Sequence, residues 1–308
     1  MKKVFIIAIP RSGTSWLQGM LATLPEIATV RETHLTDCYL RRLTDRWRQE
    51  QEDLAPDGLK AILTEAEFYD CIRAFSDRIF DKILTFNPSA EIVLEKTPGN
   101  LNFVELLDKL YPDAYFIHVI RDPRAVVASH LALKKEAWSW IQPHQTHVDI
   151  AQKWVKAIEK RDRAAELLQE RFLEVRYEDL KRDRNAVLLN ISNFLGLNYS
   201  LEQLSQLIPQ VSAQDLDRSK ADFLQQNPFY DTRANFFRRG EIDSWKRELS
   251  EHQIAEIEAI CFDMMKAHHY QPVAKARSLY FSHGISLAHL WQKVKSLLSL
   301  VKPVRNIR

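Results

Sequence analysis

Apolar residues along this chain fall into short unbroken runs separated by longer stretches with helical spacing. Lys3–Ile9, Ile92–Leu94, Tyr115–Ile120 and Phe172–Val175 are dense enough to be strands buried on both faces. PEIATVRETHL, residues 25–35, adds a shorter second strand. Between them Thr14–Leu24, Ile62–Phe86, Asn100–Leu110, Ala125–Leu133 and Ile150–Arg171 carry apolar residues at helical intervals. Strands alternating with helices predict an α/β fold with a central parallel sheet and helices on both faces. Beyond about residue 180 the pattern is mostly helical. With no Pro/Gly-rich linker and no repeat, residues 1–275 read as one domain. A tail follows at 276–308, where Leu287, Leu290, Trp291, Val294, Leu297, Leu298 and Val301 line one helical face and basic residues the other. Such a helix packs on its own domain, lies on an anionic membrane or associates with a second copy.

Composition changes this picture little. The net charge of +2 argues against nucleic acid as a partner, so any anion site must be local. Cys38, Cys71 and Cys261 have no CxxC spacing and give no metal or disulfide signal. The first apolar run is too short for a signal peptide or a spanning helix, which needs roughly 20 residues, so the expected location is cytoplasmic, with peripheral membrane contact open through the tail.

Chemistry concentrates where strands end. Pro10–Trp16, PRSGTSW, joins the first strand to a helix through Arg11, Ser12, Gly13, Thr14 and Ser15. Free N–H groups and the helix dipole make such a turn an anion cradle. It lacks the lysine that follows the glycine in a nucleotide P-loop, and no strand ending in aspartate follows to hold magnesium. Arg121 ends another strand and Ser129 lies eight residues on, in the next helix. Together they suit a second phosphate, while Asp122 caps the helix that Pro123 opens. FFRRGEIDSWKREL places Arg238, Arg239 and Gly240 in a third cationic turn.

In combination these three motifs resemble the sulfotransferases that use 3′-phosphoadenosine-5′-phosphosulfate (PAPS). PRSGTSWL resembles the family's 5′-phosphosulfate loop, VIRDPRAVVAS its 3′-phosphate strand and helix, and RRGEIDSWK its RKGxxGDWK motif. The resemblance implies a three-layer, P-loop NTPase-like fold with helical insertions. It implies a metal-independent transfer of the sulfuryl group from PAPS to a hydroxyl or amine. Arg11, Ser12, Gly13, Thr14 and Ser15 would hold the 5′-phosphosulfate. Arg121 and Ser129 would bind the 3′-phosphate, Arg238, Arg239 and Gly240 would close over it, and Trp16 and Tyr177 would lie near the adenine.

Lys96 and Arg11 suit charge growing at the bond that breaks. Lys96-Thr97-Pro98 replaces the Lys-Thr-His of cytosolic members, so the histidine base of those enzymes is absent here. Glu32, 21 residues after Arg11, resembles the glutamate base in the PD…GEETR segment of tyrosylprotein sulfotransferases. His34 is the rival, on the same face of an extended segment. The acceptor stays open between carbohydrate, lipid, peptide tyrosine and small molecule, with Trp138 and Trp140 as candidate stacking residues. Two other readings are a small-metabolite kinase of the P-loop type and a non-catalytic membrane-associated scaffold.

Overall fold

The structure is a computed structural model and describes residues 1–55, 57–134, 144–208 and 240–273. Arg238, Arg239, Trp138, Trp140 and the 276–308 tail with its basic helix lie outside the described residues. The chain divides into two compact units, one of residues 1–121 and 157–242, the other of 122–156 and 243–308.

The first unit is built on five strands: β1 (Lys2–Ile7), β2 (Ile27–Thr29), β3 (Ile92–Lys96), β4 (Tyr115–Ile120) and β5 (Phe172–Arg176). All pair parallel, in the order β2-β3-β1-β4-β5. Neighbouring strands are aligned through Ile6 opposite Lys96, Ile7 opposite His118, and Ile120 opposite Arg176. Successive side chains of β1 serve opposite faces. Val4 and Ile6 join one apolar cluster with Trp16, Leu17, Ile191 and Leu204; Phe5 and Ile7 join another with Phe68, Ile72, Leu107 and Phe116. That is the doubly covered parallel sheet the unbroken apolar runs predict, and the helical layers are the source of both clusters.

Helix α1 (Thr14–Leu21) stops three residues short of the expected Leu24. Thr23 and Leu24 turn their N–H groups to Met20 and Leu21, and Pro25 follows. A π-helix, Leu35–Leu40, leads into α2 (Arg41–Glu52), whose buried residues are Thr44 and Trp47. Helix α3 (Glu65–Leu84) starts after the expected Ile62 because Thr64 and Glu67 form a capping box there. The stretch read as helix from Asn100 is a 3₁₀ segment, Pro98–Phe103, followed by α4 (Val104–Leu110). After α5 (Pro123–Lys134), α6 (His147–Leu168) begins earlier than Ile150, since Thr146 and Asp149 exchange N–H bonds at its start. Helices α7 (Tyr177–Arg182), α8 (Arg184–Leu195) and α9 (Leu201–Leu207) complete the described part of this unit. Buried His118 is a core histidine, its Nδ1 lying 3.2 Å from Glu174, which Arg161 also meets.

In the second unit α5 packs with α10 (Trp245–Glu248) and α11 (Glu251–Ala267). Their centre is polar. Buried Arg124 donates to both oxygens of Asp122, to Glu258 and to the Gln271 carbonyl, and its guanidinium lies 4.0 Å over the Trp245 ring. Asp122 also accepts from the Arg124 N–H, which makes it the cap of α5 that Asp-Pro at a helix start predicts.

Candidate functional site

The loop after β1 takes its path from its main-chain conformation. Arg11 sits at φ 73 and Gly13 at φ 96, two left-handed residues in a four-residue turn. A Cβ on Gly13 would stand 2.4 Å from the Tyr177 ring, so only glycine lets the loop lie on that ring. The Gly13 carbonyl accepts the N–H groups of Trp16 and Leu17, which starts α1 and leaves the earlier N–H groups of the helix with no carbonyl of their own. Ser12 is fully buried, and its Oγ has no hydrogen-bond partner among the described residues. A buried hydroxyl in that state suits a ligand oxygen.

Tyr177 supports the loop from beneath. Its ring meets Trp16 edge-on at 5.7 Å, and its hydroxyl donates to the Gly240 carbonyl at 3.0 Å. The Arg121 guanidinium lies 4.1 Å from the Tyr177 ring centre and donates through Nη1 to the Arg11 carbonyl at 3.0 Å. Trp16 and Tyr177 are both buried, and the Tyr177 ring carries Gly13 and Arg121. Burial, offset by the Arg121 charge, pushes the Tyr177 hydroxyl above its ordinary range. Lys181 lies 4.7 Å over the Trp16 ring, and burial pulls its ammonium down.

Lys96 reaches this loop from the end of β3. It is 2% exposed, and its Nζ donates to Ser15 Oγ at 3.0 Å and to Glu32 Oε1 at 2.5 Å. Burial lowers its pKa, and the neighbouring Glu32 charge opposes that fall. Glu32 therefore stands one ammonium away from the helix start. Its other oxygen lies 3.5 Å from His34 Nε2, while His34 Nδ1 faces Asp37 at 3.0 Å.

A second buried residue holds this segment. Glu95, 3% exposed, accepts from Thr33 Oγ1 at 2.8 Å, Thr97 Oγ1 at 2.6 Å and Asn100 Nδ2 at 2.5 Å. Burial raises its pKa, against the Thr97 and Thr33 hydrogen bonds and the Lys96 charge. Gln18 of α1 also donates to Thr29 and to the Val30 carbonyl, both at 2.7 Å. Glu95, Thr33, Asn100 and Gln18 were not among the expected site residues. Their one sequence signal is a carboxylate at the end of the apolar run of a strand, before Lys96 in IVLEK.

The structure thus brings together Arg11, Ser12, Gly13, Thr14, Ser15, Trp16, Glu32, His34, Lys96, Arg121, Tyr177 and Gly240 within the first unit. Ser129 is buried on α5 in the second unit.

A parallel sheet whose first strand runs through a glycine turn into a helix start, with a lysine and a carboxylate near the neighbouring strand ends, has the layout of enzymes that handle phosphate-like groups. The sulfotransferase family model matches residues 3–201, and the chain belongs to the sulfotransferase family. It is 28% identical over 201 residues to protein-tyrosine sulfotransferase 2 of Gallus gallus, covering 65% of this chain and 52% of the relative. It is 29% identical over 160 residues to protein-tyrosine sulfotransferase 1 of Homo sapiens, covering 52% of this chain and 41% of that one. The matched region spans about half the length of these curated relatives. By fold it is similar to mouse sulfotransferase SULT7A1 complexed with PAP, at TM-score 0.57 and 15% identity, covering 90% of this chain and 88% of that one. It is also similar to a sulfotransferase domain from the curacin biosynthetic pathway, at TM-score 0.54 and 19% identity, covering 85% and 97%.

Proposed function

We propose that the protein transfers the sulfuryl group of PAPS to an acceptor hydroxyl, with Glu32 as general base. The observation that carries this reading is Lys96 Nζ, which touches both Ser15 of the anion loop and Glu32. A single buried cation so placed can meet charge on the donor side and orient a carboxylate on the acceptor side.

The residues present fit the donor. The buried Ser12 hydroxyl, the N–H groups at the start of α1 and the Arg11 side chain suit a 5′-phosphosulfate, and Arg121 suits the 3′-phosphate. PAPS supplies the sulfuryl group, the acceptor oxygen gaining the new S–O bond as the bond to the 5′-phosphate breaks. Glu32 takes the proton that the acceptor loses. Lys96 holds Glu32 in its acceptor-facing position and carries positive charge where negative charge grows. Arg11 and the loop N–H groups serve the same charge from the other side. His34, half exposed and turned to Asp37 by one nitrogen, is the weaker candidate for the base.

The kinase alternative lacks its lysine after Gly13, and the scaffold alternative leaves the pairing of buried Lys96 with half-buried Glu32 without a role. Among acceptors, the names of the curated relatives put peptide tyrosine first, ahead of carbohydrate, lipid and small molecules. No described helix is long and apolar enough to cross a membrane.

Calorimetry with 3′,5′-diphosphoadenosine tests the donor site. The wild type binds it, and Arg121→Ala weakens binding roughly tenfold to a hundredfold, the value of a lost charged hydrogen bond. A wild type that does not bind overturns the reading. Labelled-sulfate transfer to a tyrosine peptide and to the other three acceptor classes then identifies the acceptor.

A further inference from the structure

Three side chains of different ligand chemistry meet on the segment that follows Glu32. Among the described residues, His34, Asp37 and Cys38 form the one group of three such side chains whose ligand atoms all lie within 4.8 Å of one another. The backbone explains the meeting. His34 takes a left-handed conformation at φ 50, and its carbonyl accepts the Cys38 N–H at 3.0 Å as the π-helix begins. Positions three and four apart then share one side. His34 and Cys38 are exposed, so an ion can reach them. Asp37 Oδ2 lies 3.0 Å from His34 Nδ1, and Asp37 Oδ1 has no hydrogen-bond partner among the described residues.

We infer that His34 Nδ1, Asp37 and Cys38 Sγ form a regulatory site for Zn²⁺ or a cation of like softness. Imidazole, thiolate and one carboxylate suit Zn²⁺ and Co²⁺, whereas Mg²⁺ and Ca²⁺ take oxygen ligands. Three protein ligands leave the fourth position to water. The regulatory part rests on Glu32 being the base. His34 Nε2 lies 3.5 Å from Glu32 Oε2. A neutral ring bound to metal through Nδ1 carries its proton on Nε2, and so donates toward Glu32. The result is a carboxylate–histidine–metal relay, in which the base becomes the outer carboxylate. On binding, the Cys38 thiol releases its proton to solvent, and the His34 ring carries its one proton on Nε2. Glu32 Oε2 then holds a donor where an acceptor hydroxyl would otherwise place its proton.

Cobalt titration of the full chain tests the site without any turnover. The wild type shows a thiolate-to-cobalt absorption band that saturates at one equivalent and is displaced by Zn²⁺. Cys38→Ser abolishes the band, and Asp37→Asn weakens binding by at least about tenfold. Zn²⁺ then lowers wild-type turnover, a chelator restores it, and Cys38→Ser is insensitive. A missing band in the wild type, or an unchanged band in Cys38→Ser, overturns the site. A normal band with turnover indifferent to Zn²⁺ overturns the link to Glu32 and leaves the donor reading untouched.

Discussion

The turn after β1 and the segment after β2 both leave the C-terminal end of the parallel sheet, yet they are held in opposite ways. The first is fixed by backbone: two left-handed residues, a helix start and a glycine lying on Tyr177. The second is fixed by side chains, through Thr33 and Thr97 on Glu95 and through Gln18 on Val30. Lys96, from the strand between them, touches both. A phosphate-like group needs many N–H groups at one point, which a turn supplies cheaply. A base needs one atom at one place, and a network of buried hydrogen bonds can set that without fixing the chain's own conformation.

The largest expected effect falls on the second region. Glu32→Gln removes the proton acceptor but leaves an oxygen for Lys96 to hold. Turnover in a labelled-sulfate assay drops roughly a hundredfold to ten-thousandfold, the usual worth of a general base. Binding of 3′,5′-diphosphoadenosine changes by less than about twofold, because the lost interaction belongs to the transition state. Undiminished turnover would move the base to His34 and erase the division of labour between the two regions.

Gly13→Ala strikes the first region. An alanine at φ 96 costs about 1–2 kcal/mol, and its methyl must also displace the Tyr177 ring. The melting temperature falls by roughly 2–4 °C, and nucleotide binding weakens with it. Combining it with Tyr177→Ala separates the two costs. If the ring contact matters, the double variant is less destabilised than the sum of the singles. Strict additivity would break the claim that Tyr177 is the floor of the loop.

This contrast also explains what could be read from the chain. The strands, the loop, Arg121 and Lys96 are legible because each depends on local signals: an unbroken apolar run, a glycine beside hydroxyls, a cation at a strand end. Fold class and the donor motifs follow from such signals. Helix limits were less legible, since Thr64, Thr146 and the 3₁₀ turn at Pro98 settle them by capping rather than by periodicity. The π-helix at Leu35–Leu40 and the Glu95 network were not legible. The bond that ties Thr33 to Glu95 spans 62 positions, as the nearby bond from Thr29 to the Leu94 carbonyl spans 65, and no spacing rule reports that. Burial of Trp16 and Tyr177 was likewise invisible, because an aromatic beside such a loop carries no local signal of how much of its ring is covered.

The smallest effect is the finest probe of the side-chain network. Glu95→Gln keeps one carbonyl oxygen for Thr33 and Thr97 and turns an N–H₂ toward Asn100. Asn100 Oδ1 is buried with no partner among the described residues, so an amide flip lets it accept that new N–H. The network closes again, and turnover stays within roughly tenfold, equivalent to about 1.4 kcal/mol. The pH dependence of stability does change. Burial raises the Glu95 pKa, so the native protein keeps a proton that the unfolded chain has already released. That contribution is fully present below the ordinary carboxylate pKa and is lost as pH rises through the raised value. Denaturant unfolding across this window therefore shows wild-type stability falling more steeply with pH than that of Glu95→Gln. Parallel curves would mean that Glu95 is ionised throughout, held by its three donors and Lys96. The base segment would then be tied down by charge, and the contrast with the backbone-held loop would be sharper still.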